Sequence, residues 1–248
     1  MSKYNKVYFL HIPKTGGRFL TKSILRPMKN ALEDNGIELI KSPEDMRQHS
    51  GWPSWIDDQT YIITVFRDPS EFFVSAVCHS EAGKKKMIDE DNWHILKDMG
   101  ESLTVSKEEL FSTLFRWDYL ENFQSKNLII EPVERSVIHQ AMADHSQNKS
   151  IDESSVYDKL NRINLIIRHK DLKNMDYSLL VNKISHDLGV DIEIDLSEIN
   201  GDIFKNKASE VLFNSLNEKE KDIINQMFTL DKKIYEDDAL FWQPNRAV

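Results

Sequence analysis

Apolar residues in this chain gather in four short runs, at about Lys6 to Leu10, Thr60 to Phe66, Asn127 to Glu131 and Asn164 to Arg168. Stretches with helical spacing lie between them. Alternation of this kind predicts an α/β domain with three layers, a mainly parallel central sheet flanked by helices. Leu172, Met175, Leu179, Leu180, Ile184 and Leu188 share one helical face, and Gly189 stands where a C-capping glycine belongs. Asn217 with Glu220 three positions on spells a capping box for a last helix carrying Ile223, Ile224, Met227, Leu230 and Ile234. The stretch from Ser80 to Ser106 is charged and poorly periodic, and reads as an insertion or lid near an acceptor site. No repeat is visible, and 248 residues at 40% hydrophobic content suit a single domain spanning 1–248.

Two of the apolar runs break into loops with chemistry in them. The first, Val7 to Leu10, leads through His11-Ile12-Pro13-Lys14-Thr15-Gly16-Gly17-Arg18 directly into a helix. Its glycines let backbone N–H groups approach a phosphate, Lys14 brings a charge, Thr15 a hydroxyl, and the helix N-terminus a favourable dipole. The second, Tyr61 to Phe66, ends in Arg67-Asp68-Pro69, with Ser75 and His79 on the helix that Pro69 can open. Two such cradles suggest a ligand with phosphates at both ends.

His11-Ile12-Pro13-Lys14-Thr15-Gly16-Gly17, followed by Arg67-Asp68-Pro69 and by Ser75 eight positions after the arginine, resembles the nucleotide signatures of the sulfotransferase family. The likeness is to its carbohydrate and heparan 2-O-sulfotransferase branch. Fainter echoes are Asn122-Phe123-Gln124-Ser125-Lys126, Lys205-Asn206-Lys207-Ala208-Ser209 and Leu230-Asp231-Lys232-Lys233-Ile234-Tyr235. The resemblance implies a P-loop-like nucleotide-binding core and the donor 3′-phosphoadenosine-5′-phosphosulfate (PAPS), leaving as 3′-phosphoadenosine-5′-phosphate (PAP). Pro13, Lys14, Thr15, Gly16, Gly17 and Arg18 would hold the 5′-phosphosulfate. Arg67 and Ser75 would hold the 3′-phosphate, and Arg168, at a strand end, is a further candidate. Arg18 stands where many relatives have Thr or Ser, and Phe72 where many have an arginine.

Sulfuryl transfer to a hydroxyl needs in-line attack, neutralisation of the departing phosphate and removal of the acceptor proton. It requires no metal. Lys14 suits the second task. For the third, His49 in Gln48-His49-Ser50-Gly51 is the expected base, because the resembled branch places a catalytic histidine in a Gly-His context. His11 is the alternative, and Glu44 or Asp45 stay open. The other histidines lack metal-ligand spacing.

Composition narrows the partners. A net charge of -9 and a pI near 5.4 oppose a nucleic-acid surface. The one short basic run, Lys84 to Lys86, is followed by Asp89-Glu90-Asp91 and reads as solvated. Trp52 and Trp55 flank Pro53, as either a sugar-stacking platform or a loop packed on the core. A single cysteine, Cys78, excludes an internal disulfide framework. With no apolar leader and no membrane-length run, the expectation is a soluble, cytoplasmic enzyme acting on a small-molecule or carbohydrate acceptor. Two other readings stay open, a P-loop kinase and a non-catalytic PAP-binding relative. Against the kinase, the lysine here precedes the glycines, whereas a Walker loop ends in Gly-Lys-Ser/Thr.

Overall fold

The computed structural model describes residues 2–40, 51–88, 106–112, 121–129, 151–197 and 207–244. Strand β1 (Lys6–Leu10) runs into a helical stretch made of α1 (Gly17–Phe19), a π-helical segment (Leu20–Leu25) and α2 (Arg26–Asp34). Pro27 accounts for the π segment. It has no N–H to offer, and its ring would press on the carbonyl four residues back, so the helix widens just before it and Arg26 N–H reaches Thr21 O. Strand β2 (Glu38–Ile40) and β3 (Thr60–Phe66) follow, then α3 (Pro69–Ile88), α4 (Lys107–Ser112), α5 (Phe123–Ile129) and α6 (Glu153–Leu160). Strand β4 (Leu165–Arg168), α7 (His169–Asn174), α8 (Tyr177–Leu188), α9 (Lys207–Ser215), α10 (Glu218–Asn225), a 3₁₀ turn (Gln226–Phe228) and α11 (Thr229–Glu236) complete the order.

The four described strands form one all-parallel sheet in the order β2-β1-β3-β4. Lys6 pairs with Thr60 and Leu10 with Thr64; Ile63 pairs with Leu165 and Phe66 with Arg168. All seven residues of β3 are buried. That burial on both faces is why the strands read as unbroken apolar runs rather than as alternating ones.

Two hydrophobic cores lie on opposite faces. On one, Val7, Phe9, Tyr61, Ile63 and Val65 meet Phe19, Ile24, Met28 and Leu32 of the first helical stretch and Leu180, Ile184 and Leu188 of α8. On the other, Tyr8, Leu10, Ile62 and Phe66 meet Phe73 and Val77 of α3, Phe123 of α5, Val156 of α6, and Ile224, Phe228 and Ile234 near the C-terminus. The architecture is α/β, a parallel sheet with helices on both sides. No helix among the described residues is long and apolar enough to cross a membrane.

Two expected elements are corrected. The run from Asn127 is not a strand: Asn127 to Ile129 closes helix α5, and 130–131 lie outside the described residues. A short apolar run carries no period that separates a strand from a buried helical turn. The face from Leu172 to Leu188 belongs to two helices, because Asp176 accepts a hydrogen bond from Ser178 N–H and starts α8 afresh. Gly189 caps α8 in the left-handed region at φ 64°, and the Asn217–Glu220 capping box forms in both directions. The last helix is broken by the 3₁₀ turn at Gln226–Phe228. Helix α3 continues through Ile88, so the first part of the expected lid is helical; 89–105 lie outside the described residues.

Candidate functional site

From β1 the chain goes outward to β2, then returns past β1 to β3 on its other side. The carboxyl ends of β1 and β3 therefore flank a point where connections diverge, the place where open parallel sheets form ligand crevices. The two motif loops meet there.

The loop after β1 alternates backbone hands. Lys14 has φ 65° and Gly16 φ 97°, with Thr15 between them. Left-handed residues in such succession turn successive N–H groups to one side, forming a concavity suited to an anion. Thr15 is fully buried, and its hydroxyl donates to Ile12 O at 2.8 Å, so it holds the loop from within. Gly17 opens the helix against the His11 ring. A Cβ there would fall 2.1 Å from Cδ2 and 2.2 Å from Nε2 of His11. That ring is buried and stacked on Phe9 with centroids 5.3 Å apart. His11 thus sits wedged between Phe9 and Gly17.

In the loop after β3, Arg67 Nη1 donates to the Lys14 carbonyl at 3.1 Å, and its Nε donates to Glu71 Oε2 at 3.1 Å. Asp68 accepts from Glu71 N–H at 3.1 Å, capping α3 with Pro69 in the first turn. Burial, and then the positive charges of Arg67 and Arg18, pull the Lys14 ammonium down to about 8, with Cys78 opposing. Lys14, Arg67 and the exposed Arg18 thus form a cationic group that an arriving anion would relieve. Glu71, Ser75 and Cys78 fall at i, i+4 and i+7 on α3, one stripe of that helix. Ser75 is buried and falls between Glu71, which binds Arg67, and Cys78 on that stripe.

His169, the first residue of α7, is buried with Nδ1 3.7 Å from Glu71 Oε2, beyond hydrogen-bond range. Burial pushes its imidazole down to about 4 and keeps it neutral at pH 7. Against the opposing effect of burial, His169 and the charge of Arg67 together hold the Glu71 carboxyl below its ordinary range.

Three residues that support this site gave no direct signal in the sequence. Fully buried Gln124 grips the Arg67 main chain at both ends: Oε1 accepts from Arg67 N–H at 2.8 Å and Nε2 donates to Arg67 O at 2.8 Å. Asp231, fully buried on α11, accepts from the N–H groups of Gln124 at 3.0 Å and Ser125 at 2.7 Å, and from the Ser125 hydroxyl. Asn122 returns the favour, its Oδ1 accepting from Leu230 N–H at 2.8 Å and Asp231 N–H at 3.2 Å. The first turn of α5 is thus capped by Asp231 of α11, and that of α11 by Asn122 in the turn before α5. Their only trace in the sequence was membership of the faint motifs at 122–126 and 230–235.

Arg168 behaves differently from the other expected phosphate ligands. Its Nε and Nη2 donate to Tyr235 O at 3.1 and 3.0 Å, Nη2 pairs with Asp238 Oδ1 at 2.7 Å, and the guanidinium lies 4.1 Å from the Phe241 ring centroid. These partners all belong to the C-terminal segment, which Arg168 fastens to the end of β4. Phe72, where an arginine is common in the resembled family, is buried against Phe123 and Phe228 and belongs to the core. Trp52 is buried beneath Lys159 and Arg162, 4.5 and 5.2 Å from its ring, whereas Trp55 is 39% exposed and meets Tyr8 edge-on. Of the pair, only Trp55 presents a ring to solvent.

His49, Glu44, Asp45 and Lys205 lie outside the described residues. A surface hollow of about 670 Å³ opens elsewhere, lined by Tyr157, Asn225, Thr229, Lys232 and Lys233 among others, and shares no residue with the loop. Among the described residues no group of three or more His, Cys, Asp or Glu side chains is placed to hold a metal ion. Comparison of the chain with family models, curated proteins and solved structures finds no match.

Proposed function

We propose that this protein is a sulfotransferase moving the sulfuryl group of PAPS to a hydroxyl of a carbohydrate, glycolipid or small metabolite, on a P-loop-like core. One observation carries the reading. Lys14 and Arg67, 53 positions apart, are joined by a hydrogen bond at the carboxyl ends of the strands, where a loop with two left-handed residues and a cluster of cations come together. An anionic donor fits this arrangement, because its charge would offset the burial and the neighbouring arginines that hold Lys14 near 8.

In the proposed reaction the acceptor oxygen bonds to sulfur as the bond from sulfur to the 5′-phosphate oxygen breaks. The electron pair stays on that oxygen. Lys14 neutralises the charge developing there, and the backbone N–H groups of Thr15, Gly16 and Gly17 orient the phosphate. Arg67 and Ser75 hold the far phosphate, a guanidinium fork being matched to its oxygens. The acceptor's proton passes to a general base, assigned to His49, with His11, Glu44 or Asp45 as the alternatives. A cytoplasmic setting goes with this reading.

The test is thermal stabilisation by PAP, ADP and ATP, each with and without Mg²⁺. A ligand at a hundred times its Kd adds about 2.7 kcal/mol to stability, a clear upward shift in Tm. PAP should stabilise the protein without metal and more than ATP–Mg²⁺ does. The reverse order would overturn the donor assignment and favour phosphoryl chemistry.

A further inference from the structure

The motif at 122–126 has no part in the chemistry above, yet it holds the residue that fixes Arg67. Beyond Phe66, the last residue of β3 paired with β4, the main chain must find new partners for its N–H and C=O groups or leave them unsatisfied. Gln124 supplies both, with two 2.8 Å bonds to one residue from a side chain with no solvent exposure. An amide that donates and accepts at once is the side-chain equivalent of a strand edge. Gln124 is itself fixed, because its N–H is bonded to Asp231 and the preceding turn is tied to α11 through Asn122. A rigid chain of contacts therefore runs from α11 through Gln124 to Arg67, and from Arg67 Nη1 to the Lys14 carbonyl.

We infer that Gln124 is the positioning residue for Arg67, fixing the main chain from which the guanidinium reaches both the anion loop and a bound phosphate. The inference rests on the donor reading only for its affinity arm. Acting through Arg67, Gln124 matters to binding only while the Arg67 side chain is present.

The experiment uses Gln124→Met, which keeps volume but neither donates nor accepts as the amide does, in the full chain and in an Arg67→Ala background. PAP affinity is read by calorimetry and amide exchange by NMR. Gln124→Met should weaken PAP by about tenfold or more and speed exchange of the Arg67 amide, leaving those of Ile62 and Ile63 protected. In the Arg67→Ala background it should change PAP affinity by less than about twofold, since coupled residues do not add. Losses that multiply independently, or an Arg67 amide that exchanges at the parent rate, would overturn the inference. Should the parent fail to bind PAP, the donor reading falls, and exchange at Arg67 alone decides: faster in Gln124→Met supports positioning, unchanged refutes it. If Gln124→Met does not fold, Gln124→Asn, whose amide is one methylene too short to meet Arg67 N–H and Arg67 O together, is read the same way.

Discussion

Arg67 Nη1 donates to the carbonyl of Lys14 at 3.1 Å, so the arginine that closes one motif braces the loop of the other. Both roles end together in Arg67→Ala. The variant loses charge-assisted contacts worth about 1.5–3 kcal/mol each and deprives the Glu71 carboxylate of its arginine. PAP affinity measured by calorimetry without metal should fall by at least about tenfold. Arg67→Lys should recover little of it, because an ammonium cannot serve Glu71, the Lys14 carbonyl and a phosphate from one planar fork. Full affinity in either variant would remove Arg67 from the site.

Lys14 makes binding depend on pH in a definite direction. Burial and the neighbouring arginines lower it from 10.5 to about 8, so its charge is present below that value and fades above it. PAP affinity should therefore hold from pH 6 to 7 and decline as pH rises through about 8, with proton uptake on binding near that pH. Lys14→Arg should remove the decline, a guanidinium staying charged throughout. Lys14→Ala should lower turnover more than affinity, since the charge matters most as the bridging oxygen departs. A flat pH profile in the parent would sink the assignment.

How far the sequence reveals this site follows from where each constraint resides. The bounds of β3 could be read because a strand buried on both faces leaves an uninterrupted apolar run, and the turn after β1 because its lysine and glycines fall within four consecutive positions. Strand β2, three residues long, is too short to show a period. The helical state of 127–129 is not legible locally: the first turn of α5 is capped by Asp231, over a hundred positions away. Gln124 and Arg67 lie 57 positions apart, and nothing in either residue's neighbourhood announces their pairing. Non-local polar pairings of this kind are visible only once the chain is folded.

Asp231 should leave a mark on the pH dependence of stability. Burial raises its carboxyl from 3.8 to about 6, against the hydrogen bonds from Ser125 and Gln124. In that interval the native state binds more protons than the unfolded chain, so this residue's contribution to stability falls as pH rises from about 4 to 6. Urea denaturation across that range should show the parent losing stability relative to Asp231→Asn, whose side chain does not titrate. A constant difference between the two proteins from pH 4 to 7 would mean that Asp231 is ionised throughout.

Gly17 and His11 should prove complementary. A methyl group at position 17 would overlap the imidazole, which Phe9 backs on the other side, so Gly17→Ala should cost about 1–3 kcal/mol in urea unfolding, as overpacking usually does. Adding His11→Ala removes the obstacle and should make the second substitution far less costly than it is alone. If the two losses simply add, the ring does not rest against Gly17.

The choice of base turns on the same geometry. His11 is wedged and buried, so its substitution should lower stability and disturb the loop, and PAP affinity and turnover should fall together. His49, assigned from the resemblance alone, should behave in the opposite way. His49→Ala should leave stabilisation by PAP intact while cutting sulfuryl transfer by about two to four orders of magnitude, the range expected for a positioned acid or base. In the parent, the rate should rise with pH through a value near about 6.5, because only the neutral imidazole accepts a proton, and His49→Ala should flatten that rise. Near-full transfer by His49→Ala on an acceptor that the parent sulfates would move the role to His11, Glu44 or Asp45. A parent that binds PAP and sulfates nothing across sugars, lipids and small alcohols would instead favour a binding protein built on the same loop.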